Sequence, residues 1–463
     1  MSPARQYTYV LAGLISFELC SWAAFHWQFM ALAFWLTAVT AIVVGWRRPD
    51  WLAYATVLEL FIGGKGYLLW WTFMDVKISV RMLLFSVLLG LTLWHHRRQL
   101  RRWLQPISRP LRWLIIWLGM SVIIALLMGH RVGLIWPDAN AWLYLLLLPV
   151  WWLTIRSRTN WRNELIILAA SALTAVAIKS WLTLSLFTHH VSGSHEVYRW
   201  IRQTGIGEVT VIIGNLVRVF FQSQVYGVLF GGLLLGGLIK SSTQRWWIWP
   251  AIAAGLVTMV SLSRSFWLGL IGLGLALVVM IWRNKSWKSS RRLLIILPII
   301  VSSWMLMNWA INWPYILKPV GRSGTGDTLI ARLQSDTTYQ AATARKNQIQ
   351  PLLRSISTHP IIGQGFGTEV KFFSTDPRIN GWRQTTAFEL GYLDLWLDLG
   401  LVGLGLVGWW LIVLVKKLWS TKWSWWWIPS IAGLLVINLT TPYLNHPLGL
   451  GWLMLATLYA YDP

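Results

Sequence analysis

Arg264-Ser-Phe-Trp-Leu-Gly-Leu-Ile-Gly-Leu-Gly-Leu-Ala-Leu-Val-Val-Met-Ile-Trp-Arg283 runs from one arginine to the next with no charge between them. As an α-helix, residues 265–282 rise about 27 Å at 1.5 Å per residue, close to the ~30 Å of a bilayer's hydrocarbon core. In lipid every backbone N–H and C=O needs a partner inside its own segment, and a helix supplies one. A transmembrane barrel would show short alternating strands instead, a pattern not visible in the chain.

The same reading extends along the sequence. Apolar runs fall near 7–26, 28–45, 51–71, 79–95, 111–129, 139–155, 163–187, 221–239, 246–262, 265–282, 292–312, 385–416, 424–439 and 447–460. Three of them are short, so the expectation is an all-α polytopic integral membrane protein with about 12–14 transmembrane helices. Hydrophobic residues make up 56% of the chain and charged residues 12%, against roughly 25% charged in soluble domains. Mean hydropathy is +0.53. Many of the 37 tryptophans stand at run ends, including Trp70–Trp71, Trp151–Trp152, Trp246–Trp247, Trp409–Trp410 and Trp425–Trp427. Indole favours the headgroup level. Cys20 is the only cysteine, which excludes an intrachain disulfide. The first run contains Glu18 and no clear cleavage site, so a signal peptide is not expected.

The net charge of +24 could suit nucleic acid, but its distribution argues otherwise. Lys and Arg crowd alternate loops: Arg47–Arg48, Arg97–Arg112, Arg156–Arg162, Lys240–Arg245, Arg283–Arg292 and Lys416–Lys422. That is the positive-inside pattern, and it puts both termini in the cytoplasm. The expected localisation is the bacterial cytoplasmic (inner) membrane, with membrane lipids as partners and no nucleic acid. Two long stretches then face outward, 188–220 with a short helix and 313–384. The organisation read here is a single transmembrane domain over 1–463, with 313–384 as a large folded extracytoplasmic loop ahead of a helix starting near 385. Loops of such length are usually functional when they are not disordered.

Ionisable groups inside apolar runs cost roughly 2.5–3.5 kcal/mol on insertion scales and mark function by default. Lys65, Arg81, Lys179, Arg218 and Arg264 gather toward the outer face, where the positive-inside rule does not explain them. A cationic cavity at that depth suits an anion with its tail in lipid, such as a polyprenyl diphosphate. The bland reading is pairing with a carboxylate, for example Lys65 with Glu59. The outer loop adds Arg345-Lys-Asn-Gln-Ile-Gln-Pro-Leu-Leu-Arg-Ser-Ile-Ser-Thr-His359-Pro-Ile-Ile-Gly363-Gln-Gly365-Phe-Gly367. This spacing predicts a helix carrying Arg345, a His-Pro corner, and a turn in which Gly363, Gly365 and Gly367 allow positive φ. A single helix over 385–416 would then carry Glu389, Tyr392 and Trp396 on one face.

With its many apolar segments, Ser263-Arg264-Ser265 at a helix start, and the Arg345…His359-Pro360–Gly363–Gly365 block ahead of Gly400-Leu-Val-Gly403, the chain resembles the O-antigen ligase/polymerase superfamily. The topological likeness covers nearly the whole chain and the specific motif covers about 345–405. The resemblance implies transfer of a glycan from undecaprenyl diphosphate to an acceptor hydroxyl on the outer face, with neither metal nor other cofactor. It assigns diphosphate binding to Arg218 and Arg264, with Arg345 from the loop; Arg81 and Lys65 join that set by position. Many ligases carry a histidine at the start of the helix after the loop. Here that place reads Thr385-Thr-Ala-Phe-Glu389, which nominates Glu389, and after it His359, to accept the proton. The partners expected are the lipid-linked glycan donor and a glycan or lipid acceptor. The alternative is a transporter or flippase of the same lipid-linked glycan, which usually shows related halves and broken helices near the midplane.

Overall fold

A computed structural model describes residues 2–97, 103–189, 191, 193–213, 216–240, 247–283, 293–312, 341–375 and 380–461. Among them, seven helices are long and apolar enough to cross a membrane, and five shorter apolar helices accompany them. The chain is an all-α polytopic membrane protein, and its described residues include three small two-stranded hairpins that the composition did not announce. Residues 313–340, the first part of the large loop, lie outside the described residues, as does the side chain of Arg345.

The chain divides into two compact units: residues 1–102, 150–332 and 425–433, and residues 103–149, 333–424 and 434–463. The first unit begins with α1 (Pro3–His26), α2 (Met30–Arg47) and α3 (Pro49–Ile62). The expected run 51–71 does not continue as helix. Gly63, Gly64 and Gly66 turn the chain, and Trp70–Phe73 becomes β1, paired antiparallel with β2 (Val76–Ser79). Met74 and Asp75, both at positive φ, make the tip. The Ser79 hydroxyl accepts from the Met82 amide and caps α4 (Val80–His96).

After α5 (Arg109–Leu127) and α6 (Val132–Leu143) of the second unit, α7 (Leu147–Thr154) leads back to the first. The expected run 139–155 is broken here. Pro149 has no N–H to give to the preceding turn, and residues Tyr144–Leu146 form a 3-10 link. The spine of the first unit is α8 (Trp161–Thr188), buried for most of its length. The stretch that follows holds the expected short helix, α9 (Ser194–Thr204), and then β3 (Gly207–Ile213) paired with β4 (Leu216–Phe221). The unit continues through α10 (Val225–Lys240), α11 (Ile248–Val260), α12 (Arg264–Arg283) and α13 (Ile296–Asn312). Helices α1, α3, α11 and α13 and strand β4 all pack on α8. Polar contacts lock them in place: Tyr7 Oη donates to Thr174 Oγ1 at 2.8 Å, and Trp181 Nε1 to the Leu306 carbonyl at 2.9 Å. α10 comes so close to the chain at Trp425 that a Cβ on Gly236 would overlap the Trp425 carbonyl. By contrast, Leu36, Val39 and Val43 of α2 and Leu275, Val278 and Trp282 of α12 are exposed, as lipid-facing side chains are.

In the second unit, α14 (Ala341–Thr358) carries Arg345 on its backbone and stops at the His359-Pro360 corner, as the spacing predicts. β5 (Val370–Ser374) and β6 (Gly381–Thr385) then pair as a hairpin. The helix expected from 385 starts six residues later, as α15 (Gly391–Trp419), because Gly381–Thr385 is held in the ladder with β5. Glu389 therefore stands in the connecting segment, not on a helical face with Tyr392 and Trp396. Leu352, Ile356, Val370, Phe388 and Leu397 form one buried cluster, with Leu393 and Trp396 against it. Burying each such side chain contributes about 1.5–3 kcal/mol, which fastens the loop's helix and hairpin to the first turns of α15. The last helices are α16 (Ser424–Ile437) and α17 (Pro447–Ala460).

Helix α15 is interrupted. Gly400 has φ 67° and ψ −176°, a conformation open essentially to glycine. The interruption frees backbone groups, and the turn after His359 satisfies them. Gln364 N–H donates to the Leu397 carbonyl at 2.8 Å and Gly365 N–H to the Asp398 carbonyl at 3.1 Å. Leu401 N–H donates to Pro360 at 3.0 Å and Val402 N–H to Ile361 at 3.1 Å. Trp117 Nε1 takes the Leu399 carbonyl at 2.8 Å. The fit leaves no room for side chains: a Cβ on Gly363 would lie 2.5 Å from the Asp398 carbonyl oxygen, and one on Gly400 2.2 Å from that of Ile361. Both residues also sit at positive φ. Gly363→Ala and Gly400→Ala should each lower stability by roughly 1–3 kcal/mol or more, read as a lower Tm by tryptophan fluorescence in detergent. Gly405→Ala, with open space around it, should leave Tm unchanged. Equal Tm values for all three variants would contradict this packing.

Candidate functional site

The first unit holds all five of the cations singled out above, four of them in two groups. One surrounds the Gly63–Gly66 turn. Arg81 is buried and its guanidinium is committed: Nε and Nη2 donate to Glu59 at 2.6 and 3.1 Å, and Nη2 also reaches the Gly64 carbonyl at 2.8 Å. Glu59 therefore pairs with Arg81, not with Lys65. Lys65 is exposed on the turn, its backbone N–H bonded to the Gly205 carbonyl at 3.2 Å. Lys179, in the membrane interior, is similarly paired with Glu18.

The second group lies where α11 passes into α12. Arg218 projects from β4; its Nε donates to the Ser261 carbonyl at 3.1 Å and its guanidinium lies 4.7 Å from the Phe220 ring centroid. It also pairs with the half-buried Glu208 at 3.5 Å. Ser261 is three residues before Arg264, the first residue of α12, so the hairpin delivers Arg218 to the turn that presents Arg264. That turn is strained. Leu262 has φ 46°, which costs a residue with a side chain roughly 1–2 kcal/mol. It persists because Ser261 Oγ donates to the Thr258 carbonyl and accepts from Ser263 N–H, while Ser263 and Ser265 hydroxyls bond each other at 3.0 Å. Arg264 stands at the first residue of α12, the end at which the helix dipole is positive.

In the second unit, the glycine turn lies against α5 and α6. A Cβ on Gly365 would fall 2.5 Å from the Ala125 nitrogen, and one on Gly367 2.7 Å from that of Ile135. Both glycines have positive φ. His359 is exposed, its Nδ1 3.1 Å from Thr358 Oγ1 and its carbonyl accepting from Gly363 N–H. Glu389 is exposed. Sequence reasoning missed two residues beside this turn. His130, just past α5, has Nδ1 2.9 Å from the Phe366 carbonyl, and Asp138 of α6 accepts from Gly367 N–H at 2.8 Å. They lie 236 and 229 residues from those partners, so no local pattern could flag them. Asp138 stands ahead of the apolar stretch, and burial pushes its carboxyl up to about 6 against the opposing bonds from Gly367 and Asp398. Asp394 of α15 accepts from Asn445 Nδ2 at 2.6 Å. Among the described residues there is no group of three His, Cys, Asp or Glu arranged for a metal.

Residues 249–408 match the family model described as O-antigen ligase. The matched stretch runs from α11 into α15 and contains Arg264, the glycine turn and Glu389, whereas Arg218, His130 and Asp138 lie outside it. No curated protein and no solved structure matches the chain. Over that stretch this polytopic helical membrane protein is similar to the O-antigen ligase family.

Proposed function

We propose that this protein is a membrane glycosyltransferase that moves a glycan from a polyprenyl-diphosphate carrier, undecaprenyl diphosphate in the family's case, to an acceptor hydroxyl on the outer face of the bacterial cytoplasmic membrane. The observation that carries this reading is the pairing of Arg218 with the strained turn ahead of Arg264. Diphosphate is already a good leaving group. The protein has to stabilise its charge, orient two substrates and accept one proton. Arg218 and Arg264 take the first task, with fork-shaped donors suited to phosphate. Arg345 and the Gly363–Gly367 turn act on the substrates from the large loop, and Lys65 adds positive charge at the outer end of α3. Arg81 serves through Glu59, holding the Gly63–Gly66 turn on which Lys65 stands. Glu389 and His359 are the proton acceptors nominated by the sequence.

A transport reading draws support from one feature, the interrupted helix α15, since transporters build their sites from broken helices. The bonds of the His359–Gly367 turn to that interruption favour a fixed structural role instead. A flippase would bind the same donor but form no new glycosidic bond.

Arg218→Ala and Arg264→Ala should each nearly abolish transfer while leaving expression and Tm intact, and the lysine variants should recover only part of it. Wild-type turnover in either alanine variant removes that residue from the site. Orientation is checked separately. In a Cys20→Ser background, a cysteine at the exposed Ser357 of α14 should react with an impermeant maleimide in spheroplasts, while one at Lys416 should react only after lysis. The reverse result would place the loop in the cytoplasm and end the outer-face mechanism.

A further inference from the structure

The bonds from His130 and Asp138 meet on one peptide group. The Phe366 carbonyl and the Gly367 N–H belong to the same planar unit, with His130 Nδ1 on the first at 2.9 Å and Asp138 Oδ2 on the second at 2.8 Å. Trans geometry points these two atoms in opposite directions, so the two side chains grip the peptide from either side. A carbonyl oxygen can only accept, so Nδ1 must carry the hydrogen. In the neutral ring the lone pair is then on Nε2. Among the described residues no group bonds Nε2, and the ring is half-buried, not sealed. A fixed tautomer with an available Nε2 is the arrangement of a general base oriented by a second group.

The rest of the surroundings keeps that peptide still. At the break in α15 the Asp398 carbonyl is held by Gly365 N–H at 3.1 Å. Gly367 is pressed against Ile135. The carbonyl that orients His130 is thus fixed from α6 and from α15.

We propose that His130 is the general base of the transfer, taking the place of the histidine absent after the loop. The inference rests on the glycosyltransferase reading. The acceptor oxygen bonds to the anomeric carbon and its proton passes to Nε2. The bond from that carbon to the diphosphate oxygen breaks, and its electron pair leaves with the diphosphate. The imidazolium then returns the proton to water. Asp138 is a positioning residue, acting through the Phe366–Gly367 peptide.

The test uses the purified full-length protein in detergent with a polyprenyl-diphosphate-linked oligosaccharide and an acceptor glycan. In His130→Gln the side-chain amide can still donate to the Phe366 carbonyl but cannot take a proton. Its kcat should fall by roughly 10²–10⁴, the usual contribution of a general base, with donor KM and Tm unchanged. Turnover within about threefold of wild type overturns the proposal, and so does a loss matched by a collapse in Tm for which the next variant shows no recovery. That variant is His130→Ala, assayed with and without imidazole: restored turnover supports the proposal, and no restoration overturns it. If the wild type itself releases no polyprenyl diphosphate, the transferase reading fails and takes this inference with it. An active wild type beside an equally active His130→Gln fails the inference alone.

Discussion

A helix that breaks inside a membrane must find new partners for the backbone groups it frees, because lipid offers none and each unsatisfied group costs several kcal/mol. In this protein the break at Gly400 is answered by the residues that follow the His359-Pro360 corner. Their amides take the carbonyls above the break, and their carbonyls take the amides below it. The exchange requires backbone against backbone, which explains glycine at 363 and at 400. It also ties the large loop to helix α15 through main-chain bonds that side-chain variation cannot easily remove. The apolar cluster around Leu352, Phe388 and Leu397 then fixes the helix and hairpin of the loop to the same segment.

Charge is handled by a similar economy. A lone cation or carboxylate in the first unit's interior would be costly, and Lys179 with Glu18 and Arg81 with Glu59 neutralise each other with hydrogen-bonded contacts. Arg218 and Arg264 differ in their setting. The first is anchored by the Ser261 carbonyl and also reaches the Glu208 carboxylate at 3.5 Å. The second begins a helix whose own dipole is positive at that end.

The long apolar runs, such as 265–282, were legible because lipid imposes one solution on them. The break in α15 was not, since Leu397, Leu399, Leu401 and Val402 continue the apolar pattern straight through Gly400. What decides the break is a hydrogen-bonded partner about forty residues upstream. Residues 381–385, Gly-Trp-Arg-Gln-Thr, show no strand alternation, so the sequence reading ends the loop at 384 and starts the helix at 385, which misplaces Glu389. Runs 51–71 and 139–155 failed where Gly63-Gly64 and Pro149 override hydropathy. At the candidate site, Arg264, His359 and the glycines could be picked from the chain because they cluster within motifs. His130 and Asp138 could not, because their only signal is a contact across more than two hundred residues.

The account stands or falls on whether the protein makes a glycosidic bond. The direct measurement is reconstitution of the purified protein in vesicles with a radiolabelled polyprenyl-diphosphate oligosaccharide and an acceptor glycan, followed by separation of the lipid products. The account predicts free polyprenyl diphosphate in equal amount to extended or newly linked glycan. Movement of intact donor between leaflets, with no free polyprenyl diphosphate and no new linkage, would contradict it.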